Sequence, residues 1–243
     1  MDALWSKADV ILCITLSTRP ERRSQAEEAF KIVGLSHRVE FFVREPDVEN
    51  GMRGCFESHR AAAQHALGMG AQRALIFEDD VEFLPTFTAY AASRARRFLD
   101  REDWDIFFLG HFAQAMELTD QPDVVHVRSM DAHAYFLSVS GMTGLAGVQY
   151  SGEQIDVHFH YRNCRAFALY PMAAVQRAGF SDTEREMRPS DWNQDKLERE
   201  RRLYDGCVRR SALARAEALV TPCTASSSSS GSQSAAVVKK SLD

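Results

Sequence analysis

Three consecutive carboxylates, Glu78, Asp79 and Asp80, come directly after the short apolar run Arg73 to Phe77. A run of that length and content reads as a strand, and in open α/β sheets ligands bind outside the carboxyl ends of the strands. Side chains alternate along a strand, so Glu78 and Asp80 are expected on one side and Asp79 on the other. Like charges packed that closely are costly unless a cation lies between them, and hard carboxylate oxygens suit Mg2+ or Mn2+. A third ligand is available in His158, His160 and Tyr161, since alternating histidines share one face of a strand; His160 is the candidate. The plain structural alternative is a solvated acidic turn in which Asp79 or Asp80 caps the next element of the chain.

Other chemistries lack their residues. There is no G-x-x-x-x-G-K and no G-x-G-x-x-G, so the glycines that cradle phosphate in P-loop and dinucleotide-redox sites are missing. The five cysteines are scattered and odd in number, which suits a reducing compartment, and Cys13 and Cys55 read as small buried hydrophobes with no catalytic Cys and His arrangement. A formal charge of -5 leaves no basic surface to hold a polyanion by counterion release, so nucleic acid is not an expected partner. The apolar stretch Val10 to Leu16 is too short for a signal or a bilayer span and comes after the acidic Asp9. The expected location is cytoplasmic, with any membrane contact peripheral and at the cytoplasmic face.

The elements that would position the carboxylates can be read from pattern. Asp9 to Leu16 is a near-continuous apolar run, as in a strand covered on both faces. Thr18 is a candidate cap and Pro20 suits the first turn of a helix over Glu21 to Val33, which Gly34 ends. Arg38 to Arg44 reads as a second strand, Cys55 to Met69 as a helix and Phe87 to Leu99 as another helix. Trp104 to Leu109, Val124 to Val127, Ala134 to Val139 and Arg165 to Tyr170 are further strands, with a short helix over Ser140 to Gly147. Strand, helix and strand in alternation give an α/β fold with a mostly parallel sheet. Ser181 to Val220 carries nine acidic and nine basic residues, a balance that gives no preference for anionic lipid. Within it Asp195 to Arg202 and Arg209 to Leu219 read as helical, and the Ser-rich run Thr224 to Ser234 as low complexity. The expected division is a folded core over 1–180, a charged helical extension over 181–220 and a disordered tail over 221–243.

Several of these segments occur in a familiar order. Thr15-Leu-Ser-Thr-Arg-Pro-Glu-Arg-Arg23, Gly54-Cys-Phe-Glu-Ser-His59, Ala74-Leu-Ile-Phe-Glu-Asp-Asp-Val81, Trp104-Asp-Ile-Phe-Phe-Leu-Gly110 and Ala134-Tyr-Phe-Leu-Ser138 succeed one another along the chain. In this the chain resembles glycosyltransferase family 25, which contains lipopolysaccharide, lipooligosaccharide and collagen galactosyltransferases. The resemblance runs from about Val10 to Asp182. It implies a GT-A fold, with a Rossmann-like, mostly parallel sheet flanked by helices. It also implies a metal-dependent transfer of a hexose, galactose from UDP-galactose first, onto a hydroxyl of a glycan or glycoconjugate, with inversion.

Carried onto this chain, Glu78 and Asp80 stand where the family's acidic motif meets the metal, usually Mn2+, and the donor ribose, with Asp80 the first choice for direct ligand and Asp79 beside the donor. Arg19, Arg22 and Arg23 fall where the family places an Arg-Arg pair near the nucleotide, and a guanidinium offers bidentate contact to phosphate. Thr15 and Leu16 are placed for backbone contact to the nucleotide, and Ser58 and His59 belong to the donor side. Asp156, in Gln154-Ile-Asp-Val-His158, matches the family's late acidic element without its usual proline, and is the candidate base. Asp131 and Asp105 are the fallbacks. The rival readings are a catalytically silent nucleotide-sugar-binding or scaffold protein of the same fold and, further off, a metal-dependent phosphohydrolase.

Overall fold

The computed structural model describes residues 1–157 and 164–220. The expected Ser-rich tail and His158, His160 and Tyr161 lie outside the described residues. A first compact unit spans Met1–Val208; the second begins at Arg209, and its described part is helical.

The apolar run becomes β1 (Val10–Leu16), joined through α2 (Pro20–Ile32) to β2 (Glu40–Arg44) and through α3 (Gly51–Gly68) to β3 (Arg73–Glu78), after a one-turn α1 (Asp2–Trp5). Both β2 and β3 pair with β1 in parallel. Next come β4 (Val81–Phe83), α4 (Ala89–Phe98), β5 (Ile106–Leu118), β6 (Val124–Ser138), α5 (Val139–Ala146) and β7 (Ala166–Leu169). Sheet order is β2-β1-β3-β6-β5-β7. Only β6 runs against the rest, pairing antiparallel with β3, β5 and β7, while β5 and β7 are parallel. This is the mostly parallel α/β sheet flanked by helices that the sequence led one to expect.

The continuous apolar strands have the physical reason expected of them. Ile11, Cys13, Leu75 and Phe77 face one core with Ala26 and Phe30 of α2 and Phe98 of α4, whereas Leu12, Ile14, Ala74 and Ile76 face a second core with Phe56, Ala62 and Ala66 of α3 and Leu145 of α5. Each strand is apolar throughout because it is covered on both faces.

Several expectations change in detail. Arg19, not Thr18, precedes α2 and makes no side-chain capping bond. The two strands expected over 124–139 are one 15-residue β6. The two charged helical stretches are one helix, α6 (Trp192–Val220). A further short strand, β8 (Ala174–Gln176), pairs with β4 just beyond the acidic triplet. The division expected at residue 180 falls inside β9 (Gly179–Ser181), which pairs antiparallel with β10 (Glu186–Arg188), and the compact unit continues to Val208. No helix among the described residues is long and apolar enough to cross a membrane.

Candidate functional site

β1 and β3 run side by side, so their carboxyl ends bring Thr15 and Leu16 next to Glu78, Asp79 and Asp80. Helix α3 starts at the same edge, where the Asn50 side chain caps it by accepting from the Arg53 N–H, and its first turns present Cys55, Ser58 and His59. The β9–β10 hairpin forms the far wall. These elements enclose a cleft that Thr15, Leu16, Arg22, Ser58, His59 and the three acidic residues all line. The expected alternation does not persist past the strand end: β3 stops at Glu78, and Asp79 and Asp80 turn to the same cleft as Glu78.

Each carboxylate has a different environment. Asp79 accepts from Thr15 Oγ1 at 2.7 Å and from Arg22 Nη1 at 3.3 Å. Burial raises its pKa against both contacts. Glu78 is paired through Oε1 with His59 Nε2 at 3.0 Å and accepts from Gln176 Nε2 at 3.1 Å. Burial works against its charge, but the His59 bond and charge prevail and bring its pKa to about 2. His59 also meets the Tyr135 hydroxyl through Nδ1 at 2.7 Å; burial opposes its protonation, yet Tyr135, Cys55 and Glu78 push its pKa well up, so His59 and Glu78 form an ion pair. Asp80 accepts from Arg188 Nη1 at 3.3 Å, while its Oδ1 is buried with no hydrogen-bond partner among the described residues. Burial, reinforced by Glu78 and opposed by Arg188, lifts its pKa to about 7.

The basic residues separate. Arg22 enters the cleft and also donates to the Phe180 carbonyl; Arg19 clasps Asp182 on the hairpin through Nη2 at 2.6 Å and Nε at 3.1 Å. Arg23 stays outside, over the Phe41 ring at 4.7 Å and 3.5 Å from Glu27. The hairpin packs close enough that a Cβ on Gly51, at the start of α3, would stand 2.4 Å from the Asp182 carbonyl oxygen. The enclosed space open to water is only about 100 Å³.

Asp156 is buried but does not line this cleft. It accepts from the backbone N–H of Asp131 at 3.1 Å and of Val157 at 2.8 Å, and burial raises its pKa. It lines an adjoining small cleft together with Glu78, Arg188 and Gln176, and a third, wider one beyond. Asp131, at φ 62, is an ion-pair partner of Lys196. Asp105 precedes β5 at the opposite edge of the sheet and is taken up by Arg165 at 2.6 Å, which removes it from consideration as a base.

Sequence reasoning missed Asp182, Arg188, Gln176 and Lys196, all distant in the chain from the motifs. It also misread Cys55: the thiol lines the cleft, and one ligand atom from each of Cys55, His59 and Glu78 lies within 4.8 Å of the others. The spacing of Cys55 and His59, four residues apart on one helix face, was the available signal.

No protein-family model matches the chain. It is similar to a Rattus norvegicus protein named "Probable inactive glycosyltransferase 25 family member 3", with 25% identity over 225 residues, 72% of this chain and 39% of that protein. The chain therefore spans well under half the length of that curated relative. Among solved structures it is similar to a glycosyltransferase involved in the glycosylation of the major capsid of PBCV-1, at 13% identity and TM-score 0.46 over 72% of this chain and 95% of that one. It is also similar to UDP-glucose pyrophosphorylase complexed with UDP-glucose, at 9% identity and TM-score 0.45 over 84% of each chain.

Proposed function

We propose that this domain is a glycosyltransferase that holds a nucleotide sugar, UDP-galactose first, at the carboxyl edge of β1 and β3 and passes its hexose to a hydroxyl of a glycan or glycoconjugate. The observation that carries this reading is the gathering, in one cleft, of Thr15, Arg22, His59 and three carboxylates around the unpartnered Asp80 Oδ1.

The donor set fits a divalent ion, Mn2+ or Mg2+, at Asp80 with Glu78 beside it: a buried hard oxygen has no hydrogen-bond partner among the described residues, and such ions need only one or two carboxylates when phosphate and water supply the rest. When bound, the ion adds positive charge against the leaving diphosphate. The chain's own contribution is Arg22 and Arg188, whose guanidinium groups favour the developing charge on the diphosphate. Asp156 takes the proton from the acceptor hydroxyl; that oxygen bonds to the anomeric carbon as the bond to the diphosphate breaks, and UDP leaves with the electron pair. Burial that raises the Asp156 pKa makes it a stronger base than an exposed carboxylate.

About 100 Å³ is small for a nucleotide sugar, since ligand sites usually hold roughly 300 to 1,000 Å³. On this reading the donor extends out of the cleft or displaces the β9–β10 hairpin, whose Asp182 contacts Arg19 and Arg22.

The test is a donor hydrolysis and transfer screen with UDP, GDP and CMP sugars, with and without Mn2+, and then the anomeric configuration of the product. Hydrolysis confined to UDP sugars supports the donor assignment, and a retained configuration removes Asp156 from the role of inverting base. A second reading is a silent nucleotide-sugar binder. It is favoured by the Arg188 guanidinium resting on Asp80 and by the two Glu78 oxygens already engaged with His59 and Gln176. Calorimetric UDP-sugar binding without turnover on any acceptor distinguishes it.

A further inference from the structure

The widest of the three clefts at this edge is separate from the one enclosing the acidic triplet. It holds about 550 Å³ open to water and lies beyond Asp156, with Phe112, Gln114, Gln154, Trp192 and Asp195 in its walls. Between the two lies the small cleft that Glu78, Arg188 and Asp156 share. The three are connected by residues, not merely adjacent: Arg188 lines the first and second, and Asp156 and Glu184 the second and third.

The lining chemistry is specific in sign. Asp131 is neutralised by Lys196, and Glu184 shares Arg188, at 3.2 Å, with Asp80. The aromatic faces are likewise taken, with Lys196 4.7 Å and Arg188 5.4 Å from the Trp192 ring centroid. A cationic ligand would therefore find two of the four wall carboxylates, Asp131 and Glu184, already facing cations of the chain, a third, Asp156, bonded to backbone N–H groups, and both cation–π positions on Trp192 taken. What is left is hydrogen-bonding capacity. Carboxylate and carboxamide oxygens outnumber donors along the walls, and the Trp192 indole N–H is buried without an acceptor among the described residues. Desolvated hydroxyls must donate, and each also accepts, so a neutral polyol answers both requirements.

We infer that this wide cleft is the acceptor subsite and that it takes a neutral saccharide, not a basic peptide, presenting a hydroxyl to Asp156 at the seam. The inference rests on the glycosyltransferase reading above and adds the place and chemical class of the acceptor.

Two readouts keep the two ideas apart. An array of neutral oligosaccharides and a panel of Lys- and Arg-rich peptides are probed with the full chain, and with variants Gln114→Trp, which fills the cleft, and Asp195→Lys, which inserts a charge. UDP affinity is measured on the same proteins by calorimetry. The expected result is retention of neutral glycans by the wild type and at least a tenfold loss in both variants, with UDP affinity within twofold. Retention of basic peptides in place of glycans, glycan retention indifferent to both variants, or UDP binding with no glycan retained overturns the assignment. Glycan retention that depends on the cleft, in a protein that binds no UDP, sinks the donor reading and leaves the cleft standing.

Discussion

Two groups of buried charge-bearing side chains in the molecule are treated oppositely. At the carboxyl edge of β1 and β3 the acidic residues meet cations: Glu78 meets His59, Asp79 meets Arg22 and Asp80 meets Arg188. Deeper in, among the described residues, His111 of β5 and Glu200 of α6 have only each other within ion-pair distance, 3.7 Å apart, and His133 of β6 meets the Ala174 carbonyl at 3.3 Å. Burial drives His111 to about 3 and His133 to about 4, and lifts Glu200 to about 8, where it accepts from the Met172 N–H at 3.1 Å. At neutral pH this second group is uncharged. Neither His111 ring nitrogen makes a hydrogen bond to a described residue, and Glu200 is 3.7 Å away. Cations at the cleft hold charge on Glu78 and oppose the loss of it that burial drives at Asp79 and Asp80, whereas in the second group burial acts with little opposition.

The largest expected effect breaks the first region. Asp80→Asn lowers transfer or donor hydrolysis by about 10²-fold or more, while leaving the far-UV spectrum unchanged. Arg188→Ala leaves the buried Asp80 carboxylate without its cation; it costs about 2 to 3 kcal/mol in urea melts and weakens UDP-sugar binding. Gly51→Ala drives a methyl into the Asp182 carbonyl and costs about 1 to 3 kcal/mol, with faster amide exchange across 179–188.

The second region is tested by pH. An acid whose folded pKa is raised from 4.5 to about 8 stabilises the fold fully below pH 4.5, and that contribution is lost as pH rises through 8. Glu200→Gln keeps the acceptor for the Met172 N–H and should flatten this decline in denaturation midpoints between pH 5 and 9; an unchanged slope refutes the assignment. The smallest effect separates neighbours. Arg22→Ala loses UDP affinity about tenfold, whereas Arg23→Ala leaves it unchanged and shifts stability by less than about 0.5 kcal/mol, as for exposed pairs.

What could be read in the sequence was local. The β1 run and the acidic triplet are contiguous, and burial on both sheet faces leaves an unmistakable apolar strand. Asp182 and Arg188 sit on or beside strands of three residues, too short for any periodicity, and meet partners about a hundred residues or more away. The buried face of helix α6 was obscure for another reason. Its inward stripe runs through Lys196, Glu200, Leu203, Tyr204 and Cys207, a helical spacing whose first two members are charged, so hydropathy alone marks no buried face there. Lys196 owes its burial to Asp131 and Gln176, and Glu200 to its proton, neither of which pattern reveals. Gly110 is similarly silent in sequence: a Cβ there would stand 2.2 Å from His133 Nε2, so only glycine lets that imidazole donate to the Ala174 carbonyl.

The β9–β10 hairpin supplies Asp182, Thr183 and Arg188 to the narrow cleft, and its turn supplies Glu184 to the wide one. If the hairpin shifts when either cleft fills, this common wall would link the two compartments: a ligand that favours one hairpin position on one side would change the affinity on the other by the same factor. On the proposed reading, donor and acceptor constants measured separately would then fail to predict the ternary complex, and the size of the discrepancy would be the coupling carried by ten residues of hairpin, Gly179 to Arg188.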